Sequence, residues 1–368
     1  MKTLIRRFLA AALVLTSATL SSGGEGRVHT TSVDLVQPSS RVGLGCAGWV
    51  CGANSPVVDG AAIKPAPSSA GGLYERALAS MAHLLVVWGQ NLNSPVVDGA
   101  EPPSRAFHEL NVSGLPNSAG LSVVGVHQGT AAYSLEVVGA RVSARPKTGT
   151  APVLSGAGLV GLALDLTDQR DAKIVVAFAG VSMAPYWAGP AGSVSSYSLT
   201  YMSAPEGTPQ PLCTAGINEA ILFSGDRYDG LRKTVTATGA ATRGWVNIAC
   251  ARTALAKMFL VRHTEASQIV ETTAAERQAM LKMFTADVCG DGTAFTVPGQ
   301  PLLWRDAKGI TAFNGLPATF EAVWSDHGAV CLDQPRRPEL AAAIAAHCGP
   351  LPRCTAQTRG HVTSANPK

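Results

Sequence analysis

Eight cysteines constrain this 368-residue chain more than any other feature, because six of them fall after residue 212. They are Cys46, Cys51, Cys213, Cys250, Cys289, Cys331, Cys348 and Cys354. An even number of cysteines in an exported chain reads as a disulfide framework. The rival is zinc, which prefers C-x-x-C or similarly tight Cys and His spacings. Here Cys46 to Cys51 and Cys348 to Cys354 are loosely spaced, and no C-x-x-C occurs. His347 beside Cys348, and His327 four residues before Cys331, keep the metal reading open. Structural disulfides are the expectation, with no cofactor.

Export is read from the first 22 residues. Lys2, Arg6 and Arg7 form a basic start, and Phe8 to Leu15 is an apolar run too short to span a bilayer. Small residues follow at Thr16-Ser17-Ala18 and at Ser22, where a signal peptidase would cut. The expected location is secreted, periplasmic or cell-surface, with no membrane span after signal removal. Charged residues make up only 15% of the chain, where about 25% is usual. Removing those three cations leaves 26 Lys and Arg against 25 Asp and Glu, so the net charge falls from +4 to +1. A nucleic-acid surface needs a clear basic excess, and this balance excludes one.

Residues 23–72 are a leader rich in Gly, Ser and Pro, and an octapeptide, NSPVVDGA, occurs at Asn54–Ala61 and again at Asn93–Ala100. Two copies are too few for a solenoid and read as a duplicated turn-strand-turn. From 73 to 205 short β runs dominate: Ser122–Val126, Tyr133–Val138, Leu159–Leu166, Lys173–Phe178 and Ser195–Met202. From 206 to 354 two Gly- and Pro-free segments, Ala249–Leu260 and Thr273–Ala286, read as helices. Strands are expected at Ala294–Val297, Pro301–Arg305, Ala318–Trp324 and Ala329–Leu332, and a helix at Pro338–His347. Residues 355–368 read as a flexible tail. The fold class is therefore a β-rich N-terminal region, a small sandwich or barrel, followed by a disulfide-bonded α+β C-terminal domain.

The run Thr285-Ala286-Asp287-Val288-Cys289-Gly290-Asp291-Gly292 resembles the Ala-Asp-Tyr-Cys signature of the ADYC domain, found in exported bacterial proteins. Ile248-Ala249-Cys250, Phe320 to Trp324 and Gly328 to Cys331 resemble its other blocks, so the likeness runs from about Cys213 to Cys354. The signature residues are Ala286, Asp287, Cys289, Gly290, Asp291 and Gly292, with Val288 replacing the tyrosine. Two further cysteine positions of the family hold Met258 and Met280 here. Their joint loss, taken with the resemblance, implies that Cys250 pairs with Cys289. The resemblance implies no particular chemistry.

Catalytic motifs fail one after another. Asp287 to Gly292 has the first half of a calcium loop, but Cys289 replaces an oxygen ligand and Pro298 stands where a bidentate Glu is needed. Asp287 and Asp291 remain as weak calcium candidates beside a plainer reading, in which Gly290 ends the helix and Asp287 binds backbone. Gly156 to Gly161 matches G-x-G-x-x-G without the following helix, and Leu231 replaces the lysine of a P-loop. His108-Glu109 lacks the second histidine of a zinc protease, since Val112 stands there. Acids that an extracellular hydrolase would draw on are Glu206, Glu219, Asp226, Asp229, Asp287, Asp291 and Glu321. Tyr186, Trp187, Tyr197 and Tyr201 suit either a core or a stacking surface. The expectation is a non-enzymatic envelope or extracellular interaction module with a protein or glycan partner, and the alternative is that hydrolase.

Overall fold

The computed structural model describes residues 107–203, 207–213, 218–311 and 318–367. The signal segment, the leader, Cys46, Cys51 and both octapeptide copies lie outside them. The chain is strand-rich. Strands β1 (Glu109–Asn111), β2 (Ser122–Gln128), β3 (Ala131–Val138), β4 (Arg141–Pro146), β5 (Leu154–Ser155), β6 (Ala163–Thr167), β7 (Lys173–Pro185) and β8 (Ser193–Ser203) come first. Next are β9 (Gln210–Pro211), β10 (Ala220–Phe223), the hairpin β11 (Arg227–Asp229) and β12 (Thr234–Ala237), and β13 (Trp245–Cys250). Apart from the β11–β12 hairpin, these strands form one antiparallel sheet in the order β1-β13-β10-β8-β7-β6-β2-β3-β4-β5, with β9 added on β8.

Alternation builds the first core. In β3, Tyr133 and Leu135 are buried while Ser134 and Glu136 are exposed, as a period of two requires. Leu110, Leu135, Leu164, Phe178, Leu199 and Val246 come from strands far apart in the sheet order, yet they line one interior. The sheet must therefore curl on itself. The end of β10 meets the β3–β4 turn where the Ser224 amide donates to the Gly139 carbonyl at 2.8 Å and the Gly139 amide donates to Ser224 Oγ at 3.0 Å. This is the barrel-like body expected from the β runs. Its interior keeps a gap of only about 10 Å³, about the space one water needs, so it is a packed core.

A second core lies on the other face of β10 and β13. Ala220, Leu222, Val246 and Ile248 point into the barrel, while Ile221, Phe223 and Ala249 point away from it. Against this second face pack α1 (Ala254–Leu260) and α2 (Ala274–Thr285), which start after Thr253 and Thr273. Thr273 and Glu276 form a capping box: Thr273 Oγ1 accepts from the Glu276 amide at 3.2 Å, and Glu276 Oε2 accepts from the Thr273 amide at 2.7 Å. A four-stranded sheet closes this core, built from β14 (Leu303–Asp306), β15 (Ala318–Ser325), β16 (Gly328–Leu332) and β17 (Val362–Pro367) in the order β14-β17-β15-β16. The helix α3 (Ala341–Cys348) adds Ile344 to the same core.

Several expectations change. The boundary at 205/206 cuts a continuous sheet, because β10 pairs both with β8 and with β13, and β13 pairs with β1. Ala249 and Cys250 belong to a strand, and the helix begins only at Ala254. Ala294–Val297 forms no strand. Within the stretch expected as a flexible tail, residues 362–367 form β17, which runs between β14 and β15 with Val362, Ser364 and Ala365 buried. Ser364 Oγ donates to Glu321 Oε2 at 2.6 Å and accepts from Trp324 Nε1 at 2.8 Å. Polar Val-Thr-Ser-Ala-Asn-Pro carries almost no strand signal, so its place is set by the partners it completes.

The implied Cys250–Cys289 pair is also replaced. The disulfides are Cys213–Cys250, Cys289–Cys348 and Cys331–Cys354, with Cα–Cα distances of 5.6, 5.1 and 5.0 Å. Strand alternation gives the reason. Cys250 and Cys213 lie in the barrel core, whereas Cys289 packs against the helical core on the other side of β13. Met258 and Met280 fill that helical core, both fully buried. Peptide mapping without reduction is expected to return these three links. A chain ending at Cys354 lacks β17 and is expected to lose more than about 4 kcal/mol in urea denaturation, the range of the most damaging core lesions.

Candidate functional site

The signature turn begins where α2 stops. Ala286 takes the left-handed conformation at φ 48° and caps the helix, so the helix ends at Ala286 and not at Gly290. Asp287 follows with no solvent exposure, and its Oδ2 accepts from Lys282 Nζ at 2.5 Å and from the Gly292 amide at 2.9 Å. Lys282 is equally buried and also donates to the carbonyls of Arg232 at 3.1 Å and Gly290 at 3.0 Å. Lys233 Nζ donates to the Gly292 carbonyl. A buried carboxylate and ammonium thus order the turn from inside. The Oδ2 atom of Asp287, one of the two weak calcium candidates, is taken by the Lys282 ammonium and the Gly292 amide.

Glycine is required at three points here, one of them Gly292, where a Cβ at φ 96° would run into the Leu231 carbonyl. A Cβ on Gly290, at φ 79°, would run into the His327 carbonyl, and one on Gly328, at φ 112°, would lie 2.6 Å from the Val288 carbonyl. The Ala329 amide donates to that same Val288 carbonyl at 2.9 Å, so the turn is laced to β16. Val288 itself is buried in the helical core. Asp291 points elsewhere, to solvent. It accepts from the Thr293 amide at 2.9 Å and lies 2.7 Å from His347 Nε2, and these partners hold its carboxyl down at about 2. Cys289 and Cys348, the neighbour of His347, close the cluster.

The other acids are held one by one. Asp226 receives a two-pronged grip from Arg277, while burial and nearby Glu265 push its carboxyl up. Glu321 accepts from Arg336 Nε at 2.6 Å and Nη2 at 2.8 Å. Asp229 accepts the amides of Leu231 and Arg232 at 2.9 and 2.8 Å, and Glu219 accepts from Ser198 Oγ at 3.2 Å. Glu206 lies outside the described residues. No two of these described acids bond to a common partner. Tyr197 and Trp187 are buried, and Tyr186 has Arg262 over its ring at 3.2 Å and Phe259 stacked at 5.9 Å.

A groove of about 790 Å³ opens between the β3–β4 hairpin and the β7–β8 hairpin. Consecutive residues line it: 138–143 from the first hairpin and 193–195 from the second. Side chains on a strand alternate faces, so a groove lined by consecutive residues meets both strands edge-on. The pairing agrees. β5 covers β4 only at Ser143 and Ala144, and β8 meets β10 only at Tyr197, which leaves Ser193–Ser196 with β7 alone. Exposed Val138, Val153 and Met183 stand along it.

The signature turn falls within a stretch that matches one family. Residues 156–338 form an ADYC domain. No curated protein and no solved structure matches the chain. The ADYC domain starts 57 residues before the Cys213 expected from the signature blocks, and so takes in β6, β7 and β8; it ends before Cys348 and Cys354. The disulfide from Cys289 therefore leaves the ADYC domain to fasten α3. Sequence reading missed Lys282 as the partner of Asp287, and the Asp291–His347 contact across 56 residues. Neither had a local signal: α2 also carries Glu276, Arg277, Gln278 and Thr285, so Lys282 does not stand out.

Two predictions concern the ADYC domain. Asp287→Asn leaves Lys282 charged, buried and unpaired, and is expected to cost about 3–5 kcal/mol in urea denaturation. Asp287→Asn combined with Lys282→Met is expected to recover a large part of that loss. The second concerns Asp306. Burial would raise its carboxyl, but the His263 ring 3.6 Å away and the Thr311 hydroxyl and amide hold it down at about 2. The unfolded carboxyl, with its ordinary value of 3.8, takes up a proton first as pH falls. Stability from Asp306 is thus full above that value and lost as pH drops through about 2, a change of about 2 kcal/mol. Urea midpoints between pH 5 and 2 are expected to fall less in Asp306→Asn.

Proposed function

We propose that the protein is an exported, non-enzymatic interaction module that takes an extended polypeptide segment into the groove between the β3–β4 and β7–β8 hairpins. One observation carries the reading: two strand edges flank a single open groove. Unsatisfied edge amides and carbonyls pair readily with an added strand, the mode of β-augmentation. Val138, Val153 and Met183 supply apolar contacts for alternate side chains of the guest, and Ser143 and Ser193 a polar border. A polypeptide fits better than a glycan, because Tyr186 is already covered by Arg262 and Phe259.

The hydrolase reading gains no such support. General acid–base work needs two groups facing one reacting bond, whereas the acids here are each bound to a cation, a hydroxyl or backbone amides. Export accords with a chain in which all six described cysteines are disulfide-bonded.

The test uses a random peptide display library panned on the full chain. Selected peptides are expected to bind the parent protein and to lose at least about tenfold affinity against Val153→Glu or Met183→Lys. Both positions are about half exposed, so melting temperature is expected to stay the same. Peptides that bind all variants alike, or binding of glycan oligomers at the groove instead, would overturn the proposal.

A further inference from the structure

The cluster around Cys289–Cys348 lies outside the groove and has its own chemistry. The ligand atoms of Cys289, Asp291 and His347 all lie within 4.8 Å of one another. Cys348 Sγ is bonded to Cys289 Sγ. Two sulfurs, an imidazole nitrogen and a carboxylate oxygen therefore converge, the donor types and number of a tetrahedral zinc centre. With bonds of about 2.0–2.3 Å, donors in such a centre sit about 3.3–3.8 Å apart. Asp291 Oδ2 and His347 Nε2, 2.7 Å apart, and the two bonded sulfurs each need to separate, while the polar donors need to approach the sulfurs by about an ångström. Access differs among the disulfides. Cys213 and Cys250 are 2% and 0% exposed, whereas Cys289 and Cys348 both reach the surface, beside Asp291 and His347 side chains 47% and 46% exposed.

We propose that the Cys289–Cys348 bond is a reducible clasp whose reduced form is a zinc site of Cys289, Asp291, His347 and Cys348. A dithiol supplies the electrons. Its thiolate attacks one sulfur of the Cys289–Cys348 bond and forms a mixed disulfide; its second thiol then closes on the first. The dithiol leaves as a cyclic disulfide, and the two cysteines gain two electrons and two protons. Zinc displaces those two protons as both thiolates bind. Asp291 binds as a carboxylate and His347 through Nε2. Metal and disulfide fasten the same two elements, the end of α3 and the signature turn, so the turn stays clamped in either redox state.

Cobalt reports the site directly. The full chain with Cys46→Ser and Cys51→Ser, reduced with a phosphine, is expected to bind one equivalent of Co2+. Thiolate-to-cobalt charge-transfer absorption and intense tetrahedral visible bands should appear, and zinc should displace them. The unreduced chain is expected to show neither. His347→Ala and Asp291→Ala are each expected to weaken binding by at least about tenfold. In the reduced chain, mass spectrometry should find Cys289 and Cys348 shielded from alkylation by zinc while Cys331 and Cys354 are not. Absent thiolate bands, affinity unchanged in both variants, or equal alkylation with and without zinc would overturn the proposal.

Discussion

The C-terminal half is organised by a carboxylate and an ammonium that have both left water. Asp287 and Lys282 offset their desolvation through the bonds they make to each other and to the turn, with Asp287 Oδ2 taking both the Lys282 ammonium and the Gly292 amide. Lys282 Nζ reaches two carbonyls besides the carboxylate, from Arg232 before α2 and from Gly290 after it. One side chain thus joins the β11–β12 connection, the helix and the signature turn. The turn in turn receives β16 through the Val288 carbonyl. Glu321 and Arg336 form a second buried ion pair one layer out, where Ser364 bridges Glu321 and Trp324 and so fixes β17. A core assembled around paired charges leaves little freedom for neighbours, since each neighbour must present a particular atom.

Two cores share a wall. β10 and β13 send alternate residues to opposite sides, so neither the barrel nor the helical layer is closed without them. The β-rich region and the α+β region therefore share these two strands. Splitting the chain near residue 205 would leave the barrel open along β8 and expose both faces of the shared strands. The disulfides respect the same wall. Cys213–Cys250 closes within the barrel side, and Cys289–Cys348 and Cys331–Cys354 close around the helical core.

What the sequence made legible was whatever depends on local pattern. The β runs at 122–126, 133–138, 173–178 and 195–202 show alternation or β-branched content and became strands. The segment 274–285, bounded by a Thr-x-x-Glu box, became a helix. Legibility failed where long-range partners decide. β17 is polar and short, and it exists because Trp304, Trp324 and Glu321 line the slot it fills. Cys250 looked like a helix-face residue until the strand reached it, and the strand reached it because β10 needed a partner. Lys282 and Arg277 are buried, though nothing in the local sequence of the helix marks them out. Charge burial leaves no local mark, because its cause is a carboxylate elsewhere in the chain.

The two surfaces left over have different origins. Strand edges at the groove are open because β10 turns from β8 after a single paired position and runs toward Gly139, where the barrel closes. An aligned continuation of β10 along β8 would have sealed them, at the cost of the closing bonds between Ser224 and Gly139. Closure of the barrel and coverage of β8 therefore compete for the same strand, and closure prevailed. The second surface arises because Asp291 lies outside the paired interior of its turn. Asp287 meets the buried lysine, so Asp291, four residues on, is released to face His347 and the accessible disulfide. One turn thus serves two purposes: its first acid satisfies the core and its second presents chemistry at the surface.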